Sequence, residues 1–149
     1  MASRTQKVKL EHMQDNSAFY ITPPTIFMPA KGMRFSLISA DEDWIKETCE
    51  TLEKMFPSQL TFYHLEGPET AETICWQLLY MEYSDFVMIN SDNMTMAQGM
   101  IASANMDRTN VWWHVNEDTD TAMMTMLTAL GAHTYEDLEE FFDTIKGVL

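Results

Sequence analysis

Basic residues, cysteines and long hydrophobic segments are all scarce in this sequence. Nine Lys and Arg stand against 23 Asp and Glu in a chain of 149 residues, so the formal charge is −14. This excess of negative charge disfavours nonspecific binding to nucleic acid or to anionic membranes. The apolar runs are far shorter than the ~18 residues that a membrane-spanning helix needs, and the N-terminus lacks the apolar region of a secretory signal. We expect a soluble protein with neither a membrane nor a nucleic-acid partner.

The two cysteines, Cys49 and Cys75, are too few for a disulfide framework and do not have metal-ligand spacing. Both fall in apolar stripes of predicted helices that lie on opposite faces of the predicted sheet, so we expect two buried thiols and no redox pair. Free thiols are typical of a reducing compartment. We therefore expect a cytoplasmic protein.

Residues 1–33 differ from the rest of the chain in pattern and in charge. They show neither helical nor alternating periodicity, and residues 21–29 contain three prolines, which exclude a helix interior. Five basic and two acidic residues among the first 34 give a charge of +3, whereas the remainder, with four basic and 21 acidic residues, carries −17. We predict an extended arm over residues 1–33 and an acidic domain over residues 34–149.

The predicted arm is too apolar for a plain solvated linker. Two roles stay open for it: a strap over its own domain, or an arm that docks on another copy of the chain or on a different protein. For the second role, the candidate partner-binding residues are Phe19, Tyr20, Ile21, Ile26, Phe27 and Met28.

Strand and helix patterns alternate from residue 34 onwards. Apolar runs at residues 34–39, 60–65, 85–90 and 110–115 predict four strands, and segments with helical periodicity follow each of them. This alternation is typical of a parallel sheet between two layers of helices. We predict an α/β fold of flavodoxin-like topology, a three-layer sandwich whose four-stranded, mostly parallel sheet has the order 2-1-3-4.

Local signals predict where the helices begin and which sides they bury. Ser39-x-x-Glu42 and Thr134-x-x-Asp137 are capping signals for the first and last helices. The second helix is expected to bury a stripe formed by Ala71, Ile74, Cys75, Leu78 and Leu79.

Methionine and tryptophan are concentrated in the second half of the chain. Most methionines are expected in the core, but Met94, Met96 and Met100 precede or face a helix start and are expected to be partly exposed. Methionine-rich surfaces suit adaptable partner binding. Trp112 and Trp113 are adjacent in a predicted strand, so we expect one ring on each face of the sheet.

Ligands of open α/β sheets bind beyond the carboxyl ends of the strands, where this sequence has polar side chains. The candidate ligand-binding residues are Asp41 after the first strand, Asp92 and Asn93 after the third and Asn116 after the fourth. No Lys, Arg or glycine-rich phosphate loop follows any predicted strand, which disfavours phosphate-bearing cofactors. We expect no cofactor.

Asp41 and Asp92 have two interpretations because they follow adjacent strands. Their carboxylates could share one Mg²⁺, or they could cap helix N-termini, where the helix dipole favours negative charge. Capping is the favoured interpretation, and no metal is expected.

Residues 84–99, with the sequence SDFVMINSDNMTMAQG, read as a strand, an acidic loop and the start of a helix, and residues 110–113 begin the next strand. Together with residues 35–41, this stretch resembles the nucleoside 2-deoxyribosyltransferase-like proteins. The resemblance implies a nucleoside-like substrate and a catalytic Glu two residues before Gly99. Ala97 stands at that position, and the neighbouring Gln98 cannot act as a carboxylate nucleophile.

The acidic cluster at residues 41–43, the strand at residues 85–90 and the Gly-Ala pair at residues 131–132 are similar to those of response-regulator receiver domains. That resemblance implies a phospho-acceptor aspartate at the end of the third strand. Asn90 occupies this position, and no lysine follows where the receiver pattern requires one.

We therefore expect a non-enzymatic interaction or structural protein that engages partner subunits through its arm and its acidic surface. The short, acidic, methionine-rich chain is similar to small bacteriophage proteins, which favours a virion or assembly component. If a bacteriophage encodes the chain, we expect it in the host cytoplasm or the virion. One alternative is nucleoside-like ligand binding or N-glycosidic bond chemistry at the strand ends. A further alternative is an acidic inhibitor that mimics nucleic acid.

Overall fold

The computed structural model describes residues 5–8, 33–56, 60–64, 69–105 and 108–146. Strands and helices alternate over almost all of this length. The elements are β1 (Thr5–Val8), β2 (Met33–Ile38), α1 (Glu42–Met55), β3 (Leu60–Tyr63), α2 (Ala71–Tyr83), β4 (Phe86–Asn90), α3 (Met96–Ala104), β5 (Val111–His114), α4 (Thr121–Ala129), β6 (His133–Tyr135) and α5 (Leu138–Ile145).

The strands form one sheet in the order β1-β3-β2-β4-β5-β6, and each pair of neighbours is parallel. The four predicted strands, β2 to β5, are present and have the predicted order. The prediction of only four strands is wrong, because β6 adds a strand beside β5 and β1 adds one beside β3. β1 falls in the segment predicted as an arm, and its backbone pairs with residues 60–63 of the same chain.

The segment before the last helix forms an edge strand and not the first helical turn. Thr134 lies in β6, where it is in register with Trp113 of β5. The helix begins only at Leu138, after Asp137, whose side chain accepts a hydrogen bond from the backbone N–H of Glu139. The sheet therefore gains a strand at the expense of the predicted helix.

Helices cover the sheet on both faces, as expected. One hydrophobic core joins α1 and α5 to the sheet, and the other joins α2, α3 and α4 to the opposite face. Trp112 belongs to the first core and Trp113 to the second, which confirms that the two rings point to opposite faces. None of the described helices has both the length and the apolar character that would let it cross a membrane.

The predicted buried stripe of α2 is wrong. The side chains that α2 buries are Thr73, Trp76, Gln77, Tyr80 and Met81. Leu78 is exposed, and so is Cys75, although Cys49 is buried as expected. The aromatic residues decide the orientation: Tyr80 stacks on Tyr63 of β3 with ring centroids 4.7 Å apart, and large rings gain more from burial than small side chains do.

The capping residue of α1 also differs from the prediction. Asp41, and not Ser39, is the N-cap, and its Oδ1 accepts hydrogen bonds from the backbone N–H groups of Asp43 and Trp44. The interpretation of Asp41 as a helix cap is thus confirmed. For Asp92 the same interpretation is wrong, because Thr95 is the N-cap of the helix that follows it. Ser39 lies two residues earlier and holds the loop, as described below.

Candidate functional site

The loops that follow β2 and β4 are joined by hydrogen bonds at the carboxyl end of the sheet. The backbone N–H of Ala40 donates to the carbonyl oxygen of Asn93 at 2.8 Å, and the Ser39 hydroxyl donates to the same oxygen at 3.2 Å. The side-chain amide of Gln98 donates to the Ser39 carbonyl at 3.1 Å. These bonds bridge the crevice between adjacent strands where ligands of open sheets bind.

The Ser39 side chain is the centre of this bridge. It is buried, and its oxygen accepts hydrogen bonds from the Asp41 backbone N–H at 2.9 Å and from the Asn90 side-chain amide at 3.1 Å. The side-chain oxygen Oδ1 of Asn90 accepts from the backbone N–H of Asp92 at 3.1 Å. Asn90, at the position of the receiver phospho-acceptor, is therefore engaged in holding two loops together.

The structure brings two of the four candidate ligand-binding side chains into contact. The Asn116 side-chain amide donates to Asp92 Oδ2 at 2.7 Å, because β4 and β5 are neighbours in the sheet. Asn93 contributes its backbone oxygen to the bridge described above, and Asp41 is turned towards the start of α1. The four residues do not form one site.

A groove of about 640 Å³ lies next to the Asp92–Asn116 pair, alongside the start of α4. Its polar part contains Asp92, Asn116, Asp118 and Asp120, and its apolar part contains Ala122, Met123 and Met126. The Asp120 side chain also caps α4 by accepting from the Ala122 backbone N–H at 2.8 Å. The groove therefore combines three carboxylates with a methionine wall.

A second cavity of about 340 Å³ lies on the other face of the sheet, between α1 and the start of α5. Aromatic residues Trp44, His114 and Tyr135 line it. His114 Nε2 is 3.1 Å from the carbonyl oxygen of Glu136. The Tyr135 hydroxyl is buried and has no hydrogen-bond partner among the described residues, and burial raises the pKa of this phenol.

The outer surface of the α2–α3–α4 layer contains exposed apolar side chains. Met96 and Met100 lie one turn apart on α3 and are 85% and 69% exposed, and Met94 is half-buried. The expected exposure of these three methionines is therefore confirmed. Across the described residues, the exposed large apolar side chains all belong to this layer: Leu78, Met96, Met100, Met126 and Leu130. Neither α3 nor α4 contains a charged residue. We call the outer surface of α3 and α4, without α2, the methionine face.

Metal binding has no support in the part of the chain that the structure describes. No three or more His, Cys, Asp or Glu side chains come together there as metal ligands would. The six apolar arm residues proposed for partner binding, from Phe19 to Met28, lie outside the described residues, so their role stays a prediction.

The sequence did not lead us to predict the groove or the contribution of α4 to the methionine face. Asp118, Asp120, Met123 and Met126 were not among the candidate site residues. A signal for them exists: apolar residues occupy positions all around α4, so a helix at the surface of a sheet must expose some of them.

A scan against protein-family models finds no family that matches this chain, and a search among curated proteins finds no match. The resemblances to deoxyribosyltransferase-like proteins and to receiver domains thus stay predictions. The geometry of the chain itself must indicate what it does.

Proposed function

We propose that this chain is a non-enzymatic interaction or assembly protein that binds a protein partner through the methionine face and the acidic groove beside it. The observation that carries the proposal is the exposure of an uncharged, methionine-rich surface on a protein with a charge of −14. Exposed apolar patches of this kind are typical of interaction sites, and flexible thioether side chains adapt to a partner surface.

The residues at the carboxyl end of the sheet support a non-enzymatic role. Ala97 occupies the position at which the deoxyribosyltransferase-like pattern has its catalytic Glu. The adjacent Gln98 is engaged at both ends of its amide, with Thr95 N–H donating to its oxygen at 3.0 Å and its nitrogen donating to Ser39. These polar groups already form hydrogen bonds with the protein that hold the loops in place.

The arm forms a second contact in this proposal. Its apolar residues from Phe19 to Met28 would bind the partner, as the composition predicts, while β1 places the beginning of the arm against β3 of the same chain. A role in a virion or its assembly is the biological setting that the sequence favours.

Site-specific photo-crosslinking tests the proposal. A benzophenone amino acid replaces Met100 on the methionine face in the full chain, and in a control it replaces Glu139, an exposed residue of α5 on the opposite side of the sheet. In the native source we expect a discrete protein adduct from position 100. The same adduct should be weak or absent when the crosslinker is at position 139. Equal adducts from both positions, or none from position 100, would overturn the proposal.

A ligand screen tests the alternative of nucleoside binding. The proposal predicts that nucleosides leave the melting temperature unchanged, because ligands stabilise the state to which they bind. A nucleoside-dependent increase that Asp92→Asn removes would instead support a ligand site at the strand ends.

A further inference from the structure

The groove beside α4 has two chemically different walls. At one end lie the carboxylates of Asp92, Asp118 and Asp120, and at the other end lie the side chains of Met123 and Met126. All three carboxylates belong to exposed residues, and Met126 is 37% exposed. The groove therefore offers negative charge and apolar contact to the same incoming group.

No cation of the chain balances this charge within the described residues. Their ion pairs are Arg34–Asp85, Arg108–Glu82 and Lys146–Asp143, none of which involves the groove. Arg108 is the only Lys or Arg between Lys54 and Lys146 in the whole sequence. The carboxylates of Asp92 and Asp120 accept hydrogen bonds from neutral groups, the Asn116 side-chain amide and the Ala122 backbone N–H.

Resting on the proposed function, we infer that the groove receives a lysine or arginine side chain from a partner protein whose docking segment is both basic and apolar. The aliphatic stem of such a side chain would contact Met123 and Met126, and its charged head would lie among the carboxylates. Flanking apolar residues of the same segment would contact the methionine face. The partner is thus a basic amphipathic segment, such as a helix with one basic and one apolar side.

Charge complementarity favours this occupant over the acidic domain of a second copy of the chain. Two such domains, each with a charge of −17 over residues 35–149, would bring like charges together at the groove. A basic segment gains from the same field, and its binding should weaken as salt screens exposed charges.

The probe for this inference is a synthetic amphipathic peptide of leucine and lysine, roughly four helical turns long, with a leucine–glutamate peptide of the same pattern as a control. Binding to the full chain is followed by NMR of ¹³C-labelled methionine methyl groups. We expect the basic peptide to shift the Met123 and Met126 signals and the acidic peptide to leave them unchanged. Met88, which is fully buried, provides a signal that should not move.

Charge variants decide whether the carboxylates recognise the cation. The double variant Asp92→Asn with Asp118→Asn should raise the dissociation constant of the basic peptide by about three- to tenfold, as expected for two exposed ion pairs. The matched double variant Glu139→Gln with Glu140→Gln removes the same charge from α5 and should leave the constant unchanged. Both proteins are first checked for unaltered unfolding in urea.

Four results would overturn the inference. The first three are equal weakening by both double variants, methionine signals at the groove that do not move, and equal binding of the acidic peptide. The fourth is self-association that the groove variants abolish, which would identify a second copy as the occupant. The crosslink from position 100 decides the proposed function separately, because it requires a partner on the methionine face and no particular charge.

Discussion

The Ser39 hydroxyl lies where the loops after β2 and β4 meet. The variant Ser39→Ala replaces this hydroxyl with hydrogen and therefore measures how strongly the two loops are held together. The variant loses three hydrogen bonds, to Asp41, Asn90 and Asn93. Each contributes a net ~0.5–1.5 kcal/mol, and a buried donor without a partner costs about 1–3 kcal/mol. Because Asn90 is only 4% exposed and its side-chain amide would lose its acceptor, we expect the free energy of unfolding to fall by about 2–4 kcal/mol.

Urea unfolding of the full chain, followed by tryptophan fluorescence, measures this change. The matched control is Ser103→Ala on α3, which removes the same atom from an exposed residue whose hydroxyl donates to the Gly99 carbonyl at 2.7 Å. The control should change stability by less than about 0.5 kcal/mol, as surface substitutions usually do.

Hydrogen exchange gives a local measure of the same bridge. The Ala40 N–H donates to the Asn93 carbonyl, so its exchange should accelerate in Ser39→Ala relative to the amide of Met88 in β4. If Ser39→Ala were no more destabilising than Ser103→Ala, and the Ala40 amide exchanged at its original rate, the hydrogen bonds of Ser39 would not be what holds the two loops together.

Three further substitutions and conditions test other parts of the account. Tyr135→Phe should stabilise the protein by about 1 kcal/mol in urea unfolding, because it removes a buried hydroxyl with no partner among the described residues; a loss of stability would show that the hydroxyl is bonded. Burial raises the pKa of Tyr63 from 10.0 to about 12, so the folded state keeps a proton that the unfolded chain loses. Stability should therefore fall from pH 10 to about 12, less steeply in Tyr63→Phe, and an equally steep fall in the variant would refute this assignment. Gly131→Ala should cost about 1 kcal/mol of unfolding free energy. Gly131, the second residue beyond α4, has a φ of +67°, and an added methyl group would meet no neighbour, so only backbone strain opposes the substitution. An unchanged midpoint of unfolding would contradict that reasoning.

The fold class and the order of the central strands follow from apolar runs that are long enough to be recognised. β2, β4 and β5 are buried on both sides, and such strands contain few polar residues. β6 has only three residues, two of them exposed, so it presents no apolar run. It is a strand because β5 offers a free edge beside it, which is a tertiary cause that local sequence does not contain.

The helix faces and caps show where local rules compete with each other. The stripe of α2 containing Leu78 and Cys75 and the stripe containing Trp76 and Tyr80 both have helical spacing, and packing against Tyr63 selects the second. At the start of α1, Ser39 and Asp41 are both capping residues by type. The neighbouring strand decides between them, because Ser39 is needed to bond with Asn90 and Asn93.

Strand order accounts for the part of the candidate site that could be predicted. Neighbouring parallel strands place Asp92 and Asn116 at the same edge, and the two side chains are in contact. The methionine wall of the groove could not be derived in the same way, because which side of α4 faces outward depends on how the helix rotates on the sheet. The composition of α4 indicates only that some of its apolar residues must be exposed, and packing decides which ones.

Methionine oxidation tests most directly whether a partner covers the methionine face. Dilute peroxide converts accessible methionines to sulfoxides, and mass spectrometry compares the rate at each site in the purified chain and in its native source. Among the methionines that the structure describes, Met96 and Met100 should oxidise fastest in the purified chain and be protected in the native source. Half-buried Met55, on the opposite side of the sheet, should keep the same rate in both. Equal rates at Met96 and Met100 in the two preparations would contradict the account.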